Sequence, residues 1–129
     1  MPTFRLNKLV RDKLKEEYSL DNQIAVYRSL SVDEHKEALK NKIMEEAIEI
    51  DLKSSDENIV GEIADMSQAI DDLISIYGIS KDQIELKKQS KYEIKGGFEN
   101  ATFVETITLR ENDKWLEYYR ENPNLFEEL

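Results

Sequence analysis

The chain contains no cysteine, and its 129 residues include only one histidine, four glycines and two prolines. Without cysteine there are no disulfides, no thiolate nucleophile and no Cys-based zinc site. The lone His35 removes most His-based metal sites, and its place near a helix start reads as a solvated side chain. No stretch approaches the roughly 18 apolar residues that a membrane span needs. The opening Met1-Pro-Thr-Phe-Arg-Leu-Asn-Lys8 lacks the apolar segment of a secretion signal. The expectation is a cytoplasmic protein that touches no membrane. Basic charge is also in deficit, with 18 Lys and Arg against 28 Asp and Glu, a formal charge of −10. Such a surface repels phosphate backbones, so nucleic acid is not an expected partner. A small anionic ligand is still compatible, provided metal ions and a few local Lys or Arg attract it. The chemistry left open is that of carboxylates, Lys and Arg, hydroxyls and metal ions.

What is present is charge at 36% and apolar residues at 40%, enough for one domain whose elements bury narrow faces. With so few glycines and prolines, each break is informative. A first helix is expected from about Asn7 to Tyr18, with Leu6, Leu9, Val10 and Leu14 on one side. Alternation over Asn22 to Leu30 suggests a short strand, and the β-branched Thr102 to Leu109 suggests another that pairs with it as a ribbon. Ser31-Val-Asp-Glu34 is a capping box opening a helix to about Leu52, with Leu39, Ile43, Ala47 and Ile50 inward. Ser54-Ser-Asp-Glu57 opens the next, whose stripe Ile59, Ile63, Met66, Ile70, Leu73 and Tyr77 has the regular 3–4 spacing of a bundle helix. Gly78 ends it. Ser80-Lys-Asp-Gln83 caps a fourth helix that stops at Gly96-Gly97, and a last helix is expected from Glu111 to Asn122. The expected fold is a mainly α helical bundle, in a single domain over 1–129, with a small two-stranded β element.

Two of these helices carry closely spaced carboxylates: Glu45, Glu46 and Glu49 on one, Glu62 and Asp65 on the next. Residues three apart share a helix face, and the short polar loop 53–57 makes the two helices antiparallel neighbours. Glu46 and Glu49 then face Glu62 and Asp65. Random order alone gives a chain this acidic about six i,i+3 acidic pairs, so spacing does not single these out. Position does: they flank the apolar stripes beside Ile43, Ile50, Ile63 and Met66. Carboxylates at a core margin are costly unless paired or ligating. A hard divalent cation, Mg²⁺ or else Mn²⁺, resolves their repulsion.

These motifs are similar to those of the MazG-like branch of the all-α nucleoside triphosphate pyrophosphohydrolases, a superfamily that includes phosphoribosyl-ATP pyrophosphohydrolase and dimeric dUTPases. The pattern Glu46-x-x-Glu49, 12 residues, then Glu62-x-x-Asp65 resembles the family's two carboxylate helices. Three more segments agree in order: Asn7-Lys-Leu-Val-Arg-Asp-Lys13, Val26-Tyr-Arg-Ser-Leu30 and Lys91-Tyr-Glu-Ile-Lys-Gly-Gly-Phe98. The resemblance covers residues 6 to about 99. It implies Mg²⁺-dependent cleavage between the α and β phosphates of a nucleoside triphosphate, releasing a monophosphate and pyrophosphate, with a role in clearing damaged or surplus nucleotides. By position, Glu46, Glu49, Glu62 and Asp65 would be metal ligands, and Glu45 would support the ligands or activate water, Glu45 and Glu46 forming the catalytic pair. A homodimer or a pair of dimers is also implied.

Lys8, Arg11, Lys91 and Lys95 are the cations expected on the phosphates, against ordinary solvated charge, which for Lys91 and Lys95 includes helix C-terminal charge. Asp71 and Asp72 read as surface residues, Gly96-Gly97 as a helix stop, and Trp115, Tyr118 and Tyr119 as an interface. Two alternatives stay open. One is phosphoribosyl-ATP as substrate; the other is a non-catalytic acidic helical module for interaction or assembly.

Overall fold

The computed structural model describes all 129 residues as five helices: α1 (Leu14–Leu20), α2 (Val32–Glu49), α3 (Asp56–Ile76), α4 (Lys81–Lys95) and α5 (Leu116–Glu121). They fall into two compact units, Met1–Ser90 and Lys91–Leu129, so α4 runs across the division. No helix is long and apolar enough to cross a membrane.

The first unit is organised by the α2–α3 pair. Ser31 starts α2 with a complete capping box: the Glu34 N–H donates to Ser31 Oγ, and the Ser31 N–H donates to Glu34 Oε1, each at 3.2 Å. The Arg28 guanidinium holds the other Glu34 oxygen at 3.0 Å. The helix ends at Glu49, earlier than Leu52, because Ile50 turns into extended backbone. The cap of α3 is Ser55, one residue later than the sequence box suggests; its hydroxyl accepts from the Asn58 N–H. At the far end Gly78, at φ 68°, donates to the Ser75 carbonyl while Ile79 donates to that of Ile74. That is a Schellman stop, which a residue with a Cβ adopts only under strain. Lys36 Nζ, in the first turns of α2, sits 4.3 Å from the ring centre of Tyr77 at the end of α3, so the two helices run antiparallel.

Only three side chains in the chain are buried: Leu39, Ala69 and Glu46. On α2 the inward row is therefore Leu39, Lys42, Ile43 and Glu46, with half-buried Ile50 just past its end, and Ala47 is exposed. On α3 the row facing α2 is Ile59, Glu62, Met66, Ala69 and Leu73. The regular stripe seen in the sequence is thus split. Ile59, Met66 and Leu73 lie inward, while Ile63, Ile70 and Tyr77 are 46%, 39% and 55% exposed. With Val60, Ile63 and Ile70 form a partly exposed apolar strip on α3, and Tyr77 beyond its end carries Lys36 of α2 on its ring.

The expected β ribbon is absent. Residues 22–30 and 102–109 are not assigned to any strand, and Ile24, Val26, Phe103, Val104 and Ile107 are all exposed. β-branched alternation favours extended backbone, but two strands with no third strand or helix beneath them are marginal in water. The first helix begins at Leu14 rather than Asn7, since Asn7 has the left-handed φ of 47°, incompatible with a helix interior. Tyr18 of α1 stacks on Tyr27, with ring centres 6.5 Å apart. The last helix is shorter than Glu111–Asn122, starting only at Leu116. In that second unit Tyr118, Tyr119 and Phe126 form an aromatic cluster, Tyr119 and Phe126 meeting edge to face at 4.5 Å.

Candidate functional site

Glu46 lies seven residues, two helical turns, after Leu39, and Glu62 seven residues before Ala69. The antiparallel pairing therefore gives the hairpin an apolar level and, two turns away, an acidic one. At the acidic level Glu46, Glu49 and Glu62 each offer a carboxylate oxygen, and the three oxygens lie within 4.8 Å of one another. Glu46 is buried, Glu62 half-buried and Glu49 exposed, so the group opens to solvent on the Glu49 side.

The electrostatics are unfavourable as they stand. Glu46 Oε2 and Glu62 Oε2 are shut off from solvent, and no donor reaches either. Facing carboxylates are both acceptors, so only a shared proton or a cation can satisfy them. Desolvation, then repulsion from Glu49, Glu46 and Asp65, pushes the Glu62 carboxyl above its ordinary value. The donor set is all oxygen, Glu46 and Glu62 each keep a buried oxygen that no donor reaches, and one side is open for water. Those features suit a hard divalent cation that retains part of its hydration shell.

One cation pairs with the group, and two more pair with carboxylates next to it in sequence. Lys42 Nζ lies 3.2 Å from Glu46 Oε1 and 3.4 Å from Glu45 Oε1. Burial alone would lower the Lys42 pKa, but hydrogen bonding and attraction from the two glutamates outweigh it and raise the value. Sequence reasoning passed over Lys42. The signal was available, since it stands three and four residues before Glu45 and Glu46. Lys8 Nζ reaches Glu45 Oε1 at 3.4 Å, and Arg11 Nη2 reaches Asp65 Oδ1 at 2.7 Å. Asp65 is thus held by Arg11 and stands outside the three-carboxylate group.

The remaining candidates are in none of these pairs. Lys91 and Lys95 are exposed on the last turns of α4, in the second unit, and Gly96 at φ 76° terminates that helix. Asp71 pairs with Lys81 at 3.5 Å, and Asp72 accepts from Gln68. His35 is half-buried in the first turn of α2. Trp115 meets Tyr118 edge on at 5.7 Å, as part of the aromatic cluster. Comparison of the chain with family models, with curated proteins and with solved structures gives no match.

Proposed function

We propose that the chain is a divalent-cation-dependent nucleoside triphosphate pyrophosphohydrolase. It cleaves between the α and β phosphates to give a nucleoside monophosphate and pyrophosphate, as a cytoplasmic enzyme that clears damaged or surplus nucleotides. The observation that carries this reading is the grouping of Glu46 and Glu62, each with a buried oxygen that no donor reaches, with Glu49 beside them. The order of the motifs, resembling the MazG-like branch, supplies the reaction type.

In this reading Glu46, Glu49 and Glu62 would hold the ion, Mg²⁺ in preference to Mn²⁺, and Asp65, now on Arg11, would be a further ligand. When bound, the ion neutralises phosphate oxygens and lowers the pKa of attacking water. Glu45 stands beside the ligands and accepts a proton from water placed in line with the α phosphorus. Lys42 holds Glu46 and Glu45 in orientation. Lys8 and Arg11 take the charge of the polyphosphate. The working form is a homodimer or dimer of dimers, for which the partly exposed α3 strip of Val60, Ile63 and Ile70 is the support.

Pyrophosphate release from a panel of canonical and modified triphosphates, phosphoribosyl-ATP among them, tests this reading. Turnover that needs Mg²⁺ and disappears in Glu46→Gln supports it, and no turnover of any member by folded protein removes it. A second reading is a non-catalytic acidic module, favoured by the chain's own neutralisation of Glu45, Glu46 and Asp65 with Lys8, Lys42 and Arg11. It expects no rise in melting temperature with Mg²⁺.

A further inference from the structure

The ion pairs of the N-terminal segment imply something beyond the presence of a site. Five carboxylates converge here: Glu45, Glu46, Glu49, Glu62 and Asp65. Three cations answer them, Lys8, Arg11 and Lys42. With all of these groups ionised the local balance is two negative charges, which one divalent cation closes. An anionic ligand arriving after that ion adds charge that Lys42, held between Glu45 and Glu46, is not free to meet.

Lys8 and Arg11 are. They stand three residues apart on a segment that forms no helix, and their pairs with Glu45 and Asp65 are half-exposed. Exposed pairs of this kind contribute little, about 0–1 kcal/mol each. Exchanging a carboxylate for a phosphate therefore costs them little, whereas Asp65, once released, is left to be satisfied by cation, and Glu45 keeps Lys42.

On the reading of the site given above, we infer that Lys8 and Arg11 form a charge-exchange strap. In the ligand-free protein they act as stand-in counter-ions for Glu45 and Asp65. When a phosphate-type anion binds, they transfer to it, freeing Asp65 for the divalent ion and leaving Glu45 to Lys42 and to water. Cation and anion binding are then positively coupled, and by linkage each strengthens the other by the same factor. The strap also keeps Asp65 away from the ion until anionic ligand is present.

The test is binding of Mn²⁺, with free ion counted directly by its electron paramagnetic resonance signal, with and without inorganic phosphate. The wild type should bind Mn²⁺ about fivefold or more tightly when phosphate is present. Lys8→Gln/Arg11→Gln should bind Mn²⁺ more tightly than wild type without phosphate and show no gain on its addition. Lys13→Gln, which removes a charge from the same segment outside these pairs, should keep the phosphate gain. Circular dichroism checks that each variant is folded. If Mn²⁺ binds in a Glu46-dependent way but phosphate leaves its affinity unchanged, or the double variant keeps the gain, the strap is overturned and the metal site stands. If no Glu46-dependent Mn²⁺ binding is found, the site reading itself falls and the strap with it.

Discussion

Two levels of one hairpin, two turns apart, are built in opposite ways. At one, Leu39 and Ala69 are the chain's only buried apolar side chains; at the other, Glu46 is its only buried charge, facing half-buried Glu62. The first level gains by excluding water from hydrocarbon. The second loses by excluding water from carboxylates, and nothing on the chain itself fully repays it. A hairpin with so small a core has no stability to spare, so an acidic level kept inside it points to a task other than stability.

Substituting each level in turn sharpens this contrast. Leu39→Ala removes the largest buried side chain and should cost about 2–5 kcal/mol, measured by urea unfolding, with or without Mg²⁺. Glu46→Gln should do the reverse in the absence of metal, leaving the melting temperature unchanged or raised, because a buried charge has been removed. Its cost appears only with the ion: a loss of about a hundredfold or more in metal affinity, and no Mg²⁺-dependent rise in melting temperature. If Glu46→Gln instead unfolds the protein while Mg²⁺ never shifts the wild type, the acidic level is structural and the contrast collapses.

The outer face of α3 extends the comparison. Ile63→Glu with Ile70→Glu places two charges on side chains that are 46% and 39% exposed, so the monomer should keep its helicity. If this face joins two copies, sedimentation should show wild-type dimers and variant monomers, each side chain accounting for about 1.5–3 kcal/mol when fully buried. Smaller again is the effect of Ser31→Ala, which removes the hydroxyl half of the α2 capping box and should cost about 1 kcal/mol. Melting curves would register that change equally with and without Mg²⁺.

The helices were legible in the sequence because their signals are local. Ser31 and Ser80 with their partners at the third position, and Gly78 and Gly96 as stops, act within a turn or two of their own position. The placement of Glu46 and Glu62 on facing helices was also readable, since spacing and a short loop determine it. The β ribbon was misread because its alternation reports local extension only, and whether a partner pairs with it is a tertiary matter. The orientation of α2 was half-readable. Ala47 looks like the inward residue on apolar count, and Glu46 takes that place instead. The Arg11–Asp65 and Lys8–Glu45 pairs link residues 54 and 37 positions apart, beyond the reach of any local pattern.

The gentlest test compares two glutamates at opposite ends of α2's influence. Glu34 accepts the Ser31 N–H, and the Arg28 and Ser31 side chains assist, so its carboxyl is held below the ordinary value. A lowered carboxyl adds stability at pH values above its unfolded value, about 4.5, and that contribution is lost as pH falls through the folded one. Glu62 is pushed the other way by desolvation and its acidic neighbours. Its contribution is complete below the unfolded value and lost as pH rises through the folded one. Metal-free unfolding curves across pH 3 to 7 should therefore respond in opposite senses to the two substitutions. Glu34→Gln should remove part of the gain on raising pH, and Glu62→Gln should remove part of the loss. Saturating Mg²⁺ should erase the Glu62 component near neutrality, since the ion keeps that carboxylate charged, and leave the Glu34 component as it was. A Glu62 component indifferent to Mg²⁺ would mean that the ion does not reach the buried pair.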